Sequence, residues 1–225
     1  MGMLKSRYAF DTAIEAGIDE AGRGCLFGPL CAAAVIWQPE SEWDAKLRAL
    51  TSQIKDSKQI SAKKRAALRE QIQNYAIDYG VGRVEASEID ELGMTRANLL
   101  AFERALRELT VEPDRLLVDG ILHMNTSKEM IVEVGADNIY VSVAAASIIA
   151  KEAHDEMIGE MCAVDPSLHE KYDILKCKGY GTMKHREGVR THGMHAGHRK
   201  LFLRKLLGLE VQQQKKKPVY DFIDE

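Results

Sequence analysis

The chain has 225 residues, 45% of them hydrophobic and 29% charged, and a formal net charge of −3, which is typical of a soluble globular protein with one substantial core. Its longest apolar run covers residues 31–37, far short of the roughly 20 residues that span a bilayer, and its N-terminus lacks a signal-peptide pattern, so membrane insertion and secretion are not expected. The four cysteines lack Cys-x-x-Cys spacing, which disfavours a zinc site or a disulfide framework and favours a reduced, cytoplasmic setting.

The first half of the chain predicts a pair of strands followed by helices. The glycine-rich turn between the first two apolar runs has to reverse the chain, which favours an antiparallel pair. Ser61 is a favourable helix N-cap, and Ser87 begins a capping pattern with Asp90. The predicted elements are, in order, strands at 14–19 and 31–38, a short helix at 43–50, a helix at 62–75, a strand at 77–86 and an amphipathic helix at 94–109.

The second half predicts two more strands and then helices only. In order, these are strands at 115–119 and 130–134, a helix rich in small residues at 143–161, and helical patterns from Pro166 onward. Together the elements describe an α/β fold, a mixed sheet flanked by helices and closed by a helical C-terminal cap. We expect a single domain over residues 1–211 and a flexible tail over residues 212–225.

The modest net charge conceals an asymmetry along the chain. Residues 171–205 contain ten Lys or Arg, two Asp or Glu and four His, a balance of +8 before the histidines are counted, so the rest of the chain carries −11. A solvated face is the ordinary interpretation of a charged helix. A segment this one-sided instead favours a track for a phosphate backbone beside an acidic site, and Lys184 and Arg186 lie within it.

Residues 14–29 carry the densest chemical signal. A short apolar approach leads to Asp19 and Glu20, which are followed by Gly22-Arg23-Gly24. Carboxylates suit divalent cations, glycines let the backbone approach a ligand closely, and the arginine fork suits phosphate. The alternative is a strand that ends in a tight turn with a solvated acid pair, and the two adjacent acids alone would favour it.

Two further acids, Asp119 and Asp137, stand near the ends of later strands. Ligand sites in α/β sheets form at strand ends, and Mg²⁺ and Mn²⁺ prefer oxygen ligands, so these acids are candidate metal ligands. Taken alone, Asp119 would be an ordinary turn residue. Because successive strand residues point to opposite faces, Asp19 and Glu20 cannot both face one site unless the strand ends or bulges there, and Asp19 is the safer ligand.

Five motifs, in one order, resemble the signatures of the ribonuclease HII family, the type 2 ribonucleases H. The resemblance extends from about residue 14 to residue 202 and implies the ribonuclease H-like fold. The motifs are Asp-Glu-Ala-Gly-Arg-Gly at 19–24 followed by Gly-Pro at 28–29, Asp-Ser-Lys at 56–58, Leu-Val-Asp-Gly at 117–120, Gly-Ala-Asp at 135–137 with Ala-Ala-Ser-Ile-Ile-Ala-Lys at 145–151, and Lys-Gly-Tyr-Gly-Thr at 178–182.

The resemblance also implies a site. Four catalytic acids are expected to hold two Mg²⁺ or Mn²⁺ ions, and they are Asp19, Glu20, Asp119 and Asp137. Residues 22–24 and Tyr180 are expected to sense a ribonucleotide next to a deoxyribonucleotide, which is chemically sensible because a 2′-hydroxyl both donates and accepts hydrogen bonds. The candidate substrate-binding residues are Gly22, Arg23, Gly24, Ser57, Lys58, Lys151, Tyr180, Lys184 and Arg186.

The implied activity is that of an endonuclease. It would hydrolyse the RNA strand of RNA/DNA hybrids and cut at single ribonucleotides in duplex DNA, leaving 5′-phosphate and 3′-hydroxyl ends and removing ribonucleotides from DNA. We expect a monomer without a membrane partner. The acidic tail with Tyr220 and Phe222 suggests contact with a replication clamp, and a disordered end is the alternative.

Three other interpretations can be compared with this one. A ribonuclease HIII would bring an extra N-terminal domain, for which the roughly 14 residues before the first motif leave no room. A non-catalytic binding module would be expected to lack a site acid, and none is missing. His192, His195 and His198 invite a zinc site, but the intervening Gly193 and Gly197 disfavour a stable helix, and no cysteine or acid is near in sequence.

Two departures from the family pattern concern the site. The His-Arg element is matched by His198-Arg199, but Leu201-Phe202 replaces the Ser-Phe that usually follows, so any role of that serine is lost or supplied elsewhere. Before Asp137 the chain lacks the usual lysine and carries an extra residue, so the placement of Asp137 is the least constrained of the four acids.

Overall fold

A computed structural model describes residues 4–208, in which five strands form one sheet. They are β1 (Glu15–Ala21), β2 (Leu30–Ile36), β3 (Asp78–Val84), β4 (Arg115–Asp119) and β5 (Glu129–Glu133). Their order is β3-β2-β1-β4-β5. The pairs β1–β2 and β2–β3 are antiparallel, whereas β1–β4 and β4–β5 are parallel. The predicted mixed sheet and antiparallel first pair are confirmed.

Helices flank both faces of this sheet and continue beyond it. Those of the described residues are α1 (Ala45–Thr51), α2 (Ala62–Tyr75), α3 (Ala86–Leu92), α4 (Met94–Arg107), α5 (Val141–Val164), α6 (Ser167–Tyr172), α7 (Ile174–Cys177), α8 (Met183–His192) and α9 (Lys200–Leu203). Short 3₁₀ turns lie at Glu40–Glu42, Ser57–Gln59 and Ala136–Asn138. The predicted α/β class is confirmed.

Of two predicted helix caps, one is confirmed and one is wrong. Ser61 occupies the N-cap of α2, but its side chain makes no capping hydrogen bond. The next helix begins before Ser87, because Glu85 is its N-cap and forms a reciprocal capping box with Glu88. Asp90 therefore lies inside α3, and its carboxylate accepts hydrogen bonds from the backbone N–H groups of residues 200 and 201 at the start of α9.

The long helix α5 packs on one face of the sheet, against β1 and β2. A Cβ at Gly17 would lie 2.3 Å from the backbone of α5, so only glycine allows this close contact. The other face is covered by α4, and here Gly80 and Gly82 of β3 play the same part, because a Cβ at either position would lie about 2 Å from an α4 carbonyl oxygen. The two hydrophobic cores lie between these layers.

We define the C-terminal cap as residues 166–208, which contain α6 to α9. It has its own apolar cluster, in which Phe27, Ile158 and Tyr172 are buried. No further strand joins the sheet from the described part of this cap, as predicted, although isolated bridges link Cys25 with Tyr180 and Phe27 with His198. Within residues 4–208, no helix is long and apolar enough to cross a membrane. The predicted tail at 212–225 lies outside the described residues.

Candidate active site

Three carboxylates meet at one end of the sheet. The parallel register of β1 and β4 pairs Ile18 with Val118, so Asp19 and Asp119 follow at neighbouring positions. The 3₁₀ turn before α5 brings Asp137 to the same place, and one carboxylate oxygen from each residue lies within 4.8 Å of the other two. We call Asp19, Asp119 and Asp137 the acid cluster; it is the only such potential metal-binding group among residues 4–208.

Backbone geometry holds the acid cluster together. Gly135 ends the β5 connection with a left-handed conformation, φ +79°, which favours glycine. This turn presents the N–H groups of Gly135 and Ala136 to Asp119 Oδ1, at 2.8 and 2.9 Å. Asp137 Oδ1 in turn accepts a hydrogen bond from Asn138 Nδ2 at 2.7 Å. The extra residue before Asp137 is thus accommodated by a turn that also orients Asp119.

The carboxylates of the acid cluster repel one another. Burial raises the pKa of Asp19 well above its usual range, and the negative charges of Glu20 and Asp119 add to this. Burial, followed by the charge of Asp119, raises the pKa of Asp137 to about 6. Among the described residues, no Lys or Arg forms an ion pair with any acid of the cluster. A bound cation would relieve this repulsion.

Glu20 lies outside the acid cluster. β1 continues through Ala21, so the strand does not end at Asp19, and alternation directs Glu20 to the α4 side of the sheet. There its Oε2 accepts a hydrogen bond from Asn98 Nδ2 at 3.3 Å, and its Oε1 lies 3.8 Å from Arg23 Nη1. Burial raises the pKa of Glu20, and the hydrogen bond from Asn98 opposes that rise.

We define the glycine loop as residues 22–29. Gly22 has a positive φ of 85°, and a Cβ there would lie 2.4 Å from the ring of His154, so glycine is required on both counts. Arg23 stands out into solvent, with 44% of its side chain exposed. At Gly24 a Cβ would meet no atom within 4 Å, so this position is open.

We define the tyrosine loop as residues 178–182, and it lies directly against the glycine loop. The Gly179 carbonyl oxygen accepts a hydrogen bond from Leu26 N at 2.8 Å. Tyr180 is 40% exposed, and Lys151 Nζ lies 5.3 Å from the centre of its ring. Burial of the hydroxyl end raises the pKa of Tyr180 to about 12. The structure therefore brings together the two loops that the sequence singled out.

The Asp-Ser-Lys motif forms a 3₁₀ turn beside the acid cluster. Ser57 is buried, and its Oγ is 2.8 Å from Ser147 Oγ of α5, so this hydroxyl supports the turn from within. Gln59 Nε2 donates to Asn138 Oδ1 at 3.2 Å, which ties the turn to the residue after Asp137. Lys58 is exposed at the surface of the turn.

The remaining predicted basic residues have partners of their own. Lys151 Nζ lies 2.8 Å from Asp155 Oδ1, and Lys184 Nζ lies 2.9 Å from Asp173 Oδ1 with 69% of its side chain exposed. Arg186 Nε donates to the Gly181 carbonyl of the tyrosine loop at 2.8 Å. Lys184 and Arg186 are therefore surface cations next to Tyr180.

Arg199 is the main residue whose role the sequence did not indicate. It is fully buried. Within the described part of the chain, its guanidinium donates only to carbonyl oxygens of the glycine loop, those of Gly22, Arg23, Gly28 and Pro29. The His-Arg motif marked the residue but not its partners, because these lie about 170 positions away in the chain.

Comparisons with known proteins agree with this site. Residues 16–205 match the family model of ribonuclease HII. A ribonuclease HII of Parabacteroides distasonis is 44% identical over 197 residues, which cover 84% of this chain and 89% of that protein.

Two solved structures share the fold. The ribonuclease H2 of Pyrococcus horikoshii OT3 aligns with a TM-score of 0.67 and 28% identity, covering 85% of this chain and 96% of that one. The ribonuclease HII of Archaeoglobus fulgidus, solved as a complex with PCNA, aligns with a TM-score of 0.65 and 26% identity, covering 92% and 98%. The chain therefore belongs to the ribonuclease HII family and is a ribonuclease H, a hydrolase whose substrate is RNA paired with DNA.

Proposed function

We propose that the chain cuts its substrate by two-metal-ion hydrolysis with Mg²⁺ or Mn²⁺. The observation that carries this proposal is the acid cluster, in which three carboxylates converge and none forms an ion pair with a Lys or Arg of the described residues. All the donor atoms are carboxylate oxygens, which fit these hard cations. When bound, the ions supply Lewis acidity, which lowers the pKa of the attacking water and stabilises the leaving oxygen.

Within this proposal the four acids differ in their parts. Asp19 and Asp119 would be the central ligands, because the parallel register of β1 and β4 sets them side by side. Asp137 completes the site from the turn before α5. Glu20 approaches from the other side of β1, where Asn98 and Arg23 orient its carboxylate. With ions bound, the four acids would hold those ions, and the ions in turn would position the reacting phosphodiester and the water; the products would carry 5′-phosphate and 3′-hydroxyl ends.

The glycine and tyrosine loops would read the sugar. Backbone groups at residues 22–24 can reach a 2′-hydroxyl because Gly24 is exposed and no side chain intervenes there. The half-exposed ring of Tyr180 can stack on the next sugar, where a further hydroxyl would clash. This pairing supports cleavage at a single ribonucleotide in duplex DNA as well as in long hybrids, and thus removal of ribonucleotides from DNA.

Phosphate contacts would position the duplex. Arg23 lies beside Glu20, Lys58 acts on the charge of Asp137 and Lys151 lies over the Tyr180 ring. Lys184 and Arg186 extend this track across the C-terminal cap. Ser57 contributes by supporting the turn that carries Lys58, since its own hydroxyl is buried against Ser147. Such contacts carry little information on sugar identity.

The deciding experiment uses duplex DNA that carries one ribonucleotide. We expect endonucleolytic cleavage beside that ribonucleotide with Mg²⁺ or Mn²⁺, and none with a chelator. End-group analysis should find 5′-phosphate and 3′-hydroxyl termini. Cleavage of long RNA/DNA hybrids without any cleavage of the single-ribonucleotide duplex would contradict the junction specificity but leave the hydrolase activity standing.

We also propose the setting in which this activity operates. The four cysteines are free and buried, in keeping with a reduced, cytoplasmic monomer. The A. fulgidus relative was solved bound to PCNA, which supports a clamp contact for this chain as well. The segment with Tyr220 and Phe222, to which that contact is assigned, lies outside the described residues, and clamp binding by variants at these two positions tests it.

A further inference from the structure

Two buried histidines form a hydrogen-bonded relay that ends on the tyrosine loop. The backbone N–H of His195 donates to His198 Nδ1 at 2.9 Å, and the His195 carbonyl oxygen lies farther from that nitrogen, at 3.3 Å; the shorter contact favours an Nδ1 without a proton. The proton of His198 is therefore on Nε2, which lies 3.0 Å from His185 Nε2. His185 then carries its own proton on Nδ1, 2.9 Å from the Tyr180 carbonyl oxygen.

The direction of the relay follows from its two ends. If both protons moved to the other nitrogens, a lone pair of His185 Nδ1 would face the Tyr180 carbonyl oxygen at 2.9 Å. The N–H of His195 would also face the N–H of His198. Both arrangements are repulsive, so one tautomer of each ring is selected.

The surroundings of the relay keep both rings neutral. Burial lowers the pKa of His185, and burial together with the neighbouring His185 lowers the pKa of His198 to about 4. A second proton on His185 would set two N–H donors against each other across the 3.0 Å contact, and a second proton on His198 would face the backbone N–H of His195. Five titratable or charged groups face the two histidine rings. They are Tyr172, Asp173, Cys177, Arg186 and His195, the last of which packs against Phe27.

Arg199, the residue after His198, forms hydrogen bonds with the glycine loop. Arg199 donates to four carbonyl oxygens of the glycine loop, at 2.7 to 3.2 Å. The cap and the glycine loop are also joined through the backbone, because Arg199 N donates to Leu26 O. His198 and Arg199 are consecutive residues. His198 is therefore linked to the tyrosine loop through His185, and Arg199 is bonded directly to the glycine loop.

We propose that His185, His198 and Arg199 are positioning residues that lock the glycine loop and the tyrosine loop into one arrangement for reading a ribonucleotide. This inference rests on the proposed function, in which those two loops contact the sugar. The relay sets the place of the Tyr180 backbone, and the guanidinium sets the place of the Gly22 and Arg23 backbone. Junction preference depends on both.

Two replacements of His185 separate the ends of the relay. In His185→Asn the amide nitrogen can replace Nδ1 and keep the bond to Tyr180, but the side chain no longer reaches His198. In His185→Gln the amide oxygen can replace Nε2 and keep the bond to His198, but it releases Tyr180. His192→Asn, at an exposed position of the same helix, is the matched control.

The readout is the ratio of single-turnover rates on a one-ribonucleotide duplex and on a long RNA/DNA hybrid. We expect His185→Gln to lower this ratio about tenfold, the factor that one lost hydrogen bond of about 1.4 kcal/mol represents. His185→Asn should lower it less, and His192→Asn should leave it unchanged. A wild-type ratio in His185→Gln, or an equal loss on both substrates in both variants, would overturn the proposal.

Arg199→Lys tests the hydrogen bonds between Arg199 and the glycine loop. Lysine keeps the charge but cannot spread donors over four carbonyl groups, so the rate on the one-ribonucleotide duplex should fall about tenfold or more relative to the rate on the long hybrid, while the affinity for the duplex is unchanged. If the variant melts far below the wild type, Arg199→Ala with added guanidinium replaces it, and partial recovery of the rate is expected. Unchanged rates in Arg199→Lys, or no recovery in Arg199→Ala, would contradict the proposal.

A spectroscopic measurement tests the relay independently of activity. ¹⁵N spectra of the imidazole groups in the wild type at pH 7 should find His198 protonated on Nε2 and His185 on Nδ1. Finding the same tautomer in both rings, or a charged ring, would overturn the relay. If the wild type fails to cut the one-ribonucleotide duplex, the proposed function fails instead, and these spectra distinguish the two cases.

Discussion

Asn98 of α4 donates a hydrogen bond to Glu20 on the opposite face of the sheet from Asp19. The two acids are adjacent in the chain, yet β1 separates them because it remains a regular strand through Ala21. Asn98 is completely buried, and its Oδ1 has no hydrogen-bond partner among residues 4–208. The amide is therefore held in the core mainly through its contact with Glu20.

Replacing Asn98 should change the pH dependence of the reaction. The hydrogen bond from Asn98 lowers the pKa of Glu20 against the effect of burial, so Asn98→Ala should raise that pKa further. Glu20 then becomes protonated at a higher pH, and the acidic limb of the kcat/KM profile should move to higher pH. Asn74→Ala, at an exposed position of α2, should leave the profile unchanged, and an unmoved limb in Asn98→Ala would remove Glu20 from the reaction.

Neutralising the acid cluster should separate activity from stability. We expect Asp19→Asn and Asp119→Asn to abolish cleavage while hybrid binding persists, because an amide keeps the shape but not the charge that the ions require. Asp19→Asn should also raise the melting temperature of the metal-free protein, since it removes one buried charge from a repelling group. Cleavage assays and thermal melts with and without Mg²⁺ check both effects, and near-normal turnover in either variant would contradict the metal-site assignment.

The metal-free protein should lose stability as the pH rises between about 4 and 6. Asp137 has a folded pKa of about 6 against an unfolded value of 3.8, so in this window the folded state binds more protons than the unfolded state. The raised pKa of Asp19 acts in the same direction. Urea unfolding at several pH values in a chelator measures the slope, which should be shallower in Asp137→Asn; an equal slope would show that Asp137 is not responsible.

Tyr180 should govern junction specificity more than affinity. Tyr180→Ala should lower the single-turnover rate at one embedded ribonucleotide by about 10²-fold, as expected for loss of a stacking contact of about 3 kcal/mol. The dissociation constant of the same duplex should change much less, because phosphate contacts hold the backbone. Tyr180→Phe keeps the ring and serves as the control. If affinity falls as far as the rate does, Tyr180 is a general binding residue.

Charge reversal on the C-terminal cap should alter the salt dependence of binding. Lys184→Glu with Arg186→Glu removes two cations beside the tyrosine loop, so affinity for any duplex should fall and the slope of log K against log salt should flatten by about 2. Lys46→Glu, on the exposed side of α1, is the control. An unchanged slope in the double variant would place this surface away from the duplex.

Local patterns were sufficient to predict most of the fold. The predicted bounds of α2 and β4 coincide with the observed ones, because an amphipathic repeat and a short buried run each have one regular solution. The site was predictable where strand ends carry acids, so Asp19 and Asp119 meet as the parallel register requires. The predicted start of α3 was wrong because a residue pair two positions earlier, Glu85 and Glu88, caps the helix instead.

The sequence was less informative wherever a residue acts through a distant partner. The burial of Ser57 depends on Ser147, and the orientation of Glu20 depends on Asn98. No local pattern reports such pairs. The histidine cluster illustrates the same limit, since its spacing suggested a metal, whereas His198 is paired with His185 thirteen residues earlier.

The hydrogen bonds from Arg199 to the glycine loop can form only late in the synthesis of the chain. A growing chain contains all four acids once residue 137 has been added, but the side chain that holds the loop follows roughly 60 residues later. At about 5–20 residues per second, translation of that interval takes on the order of 3–12 s. During this time the acids are present while the carbonyl groups of Gly22 and Arg23 still lack their buried donor. The ribosome thus adds the proposed metal ligands first, and Arg199, which supports the glycine loop, several seconds afterwards.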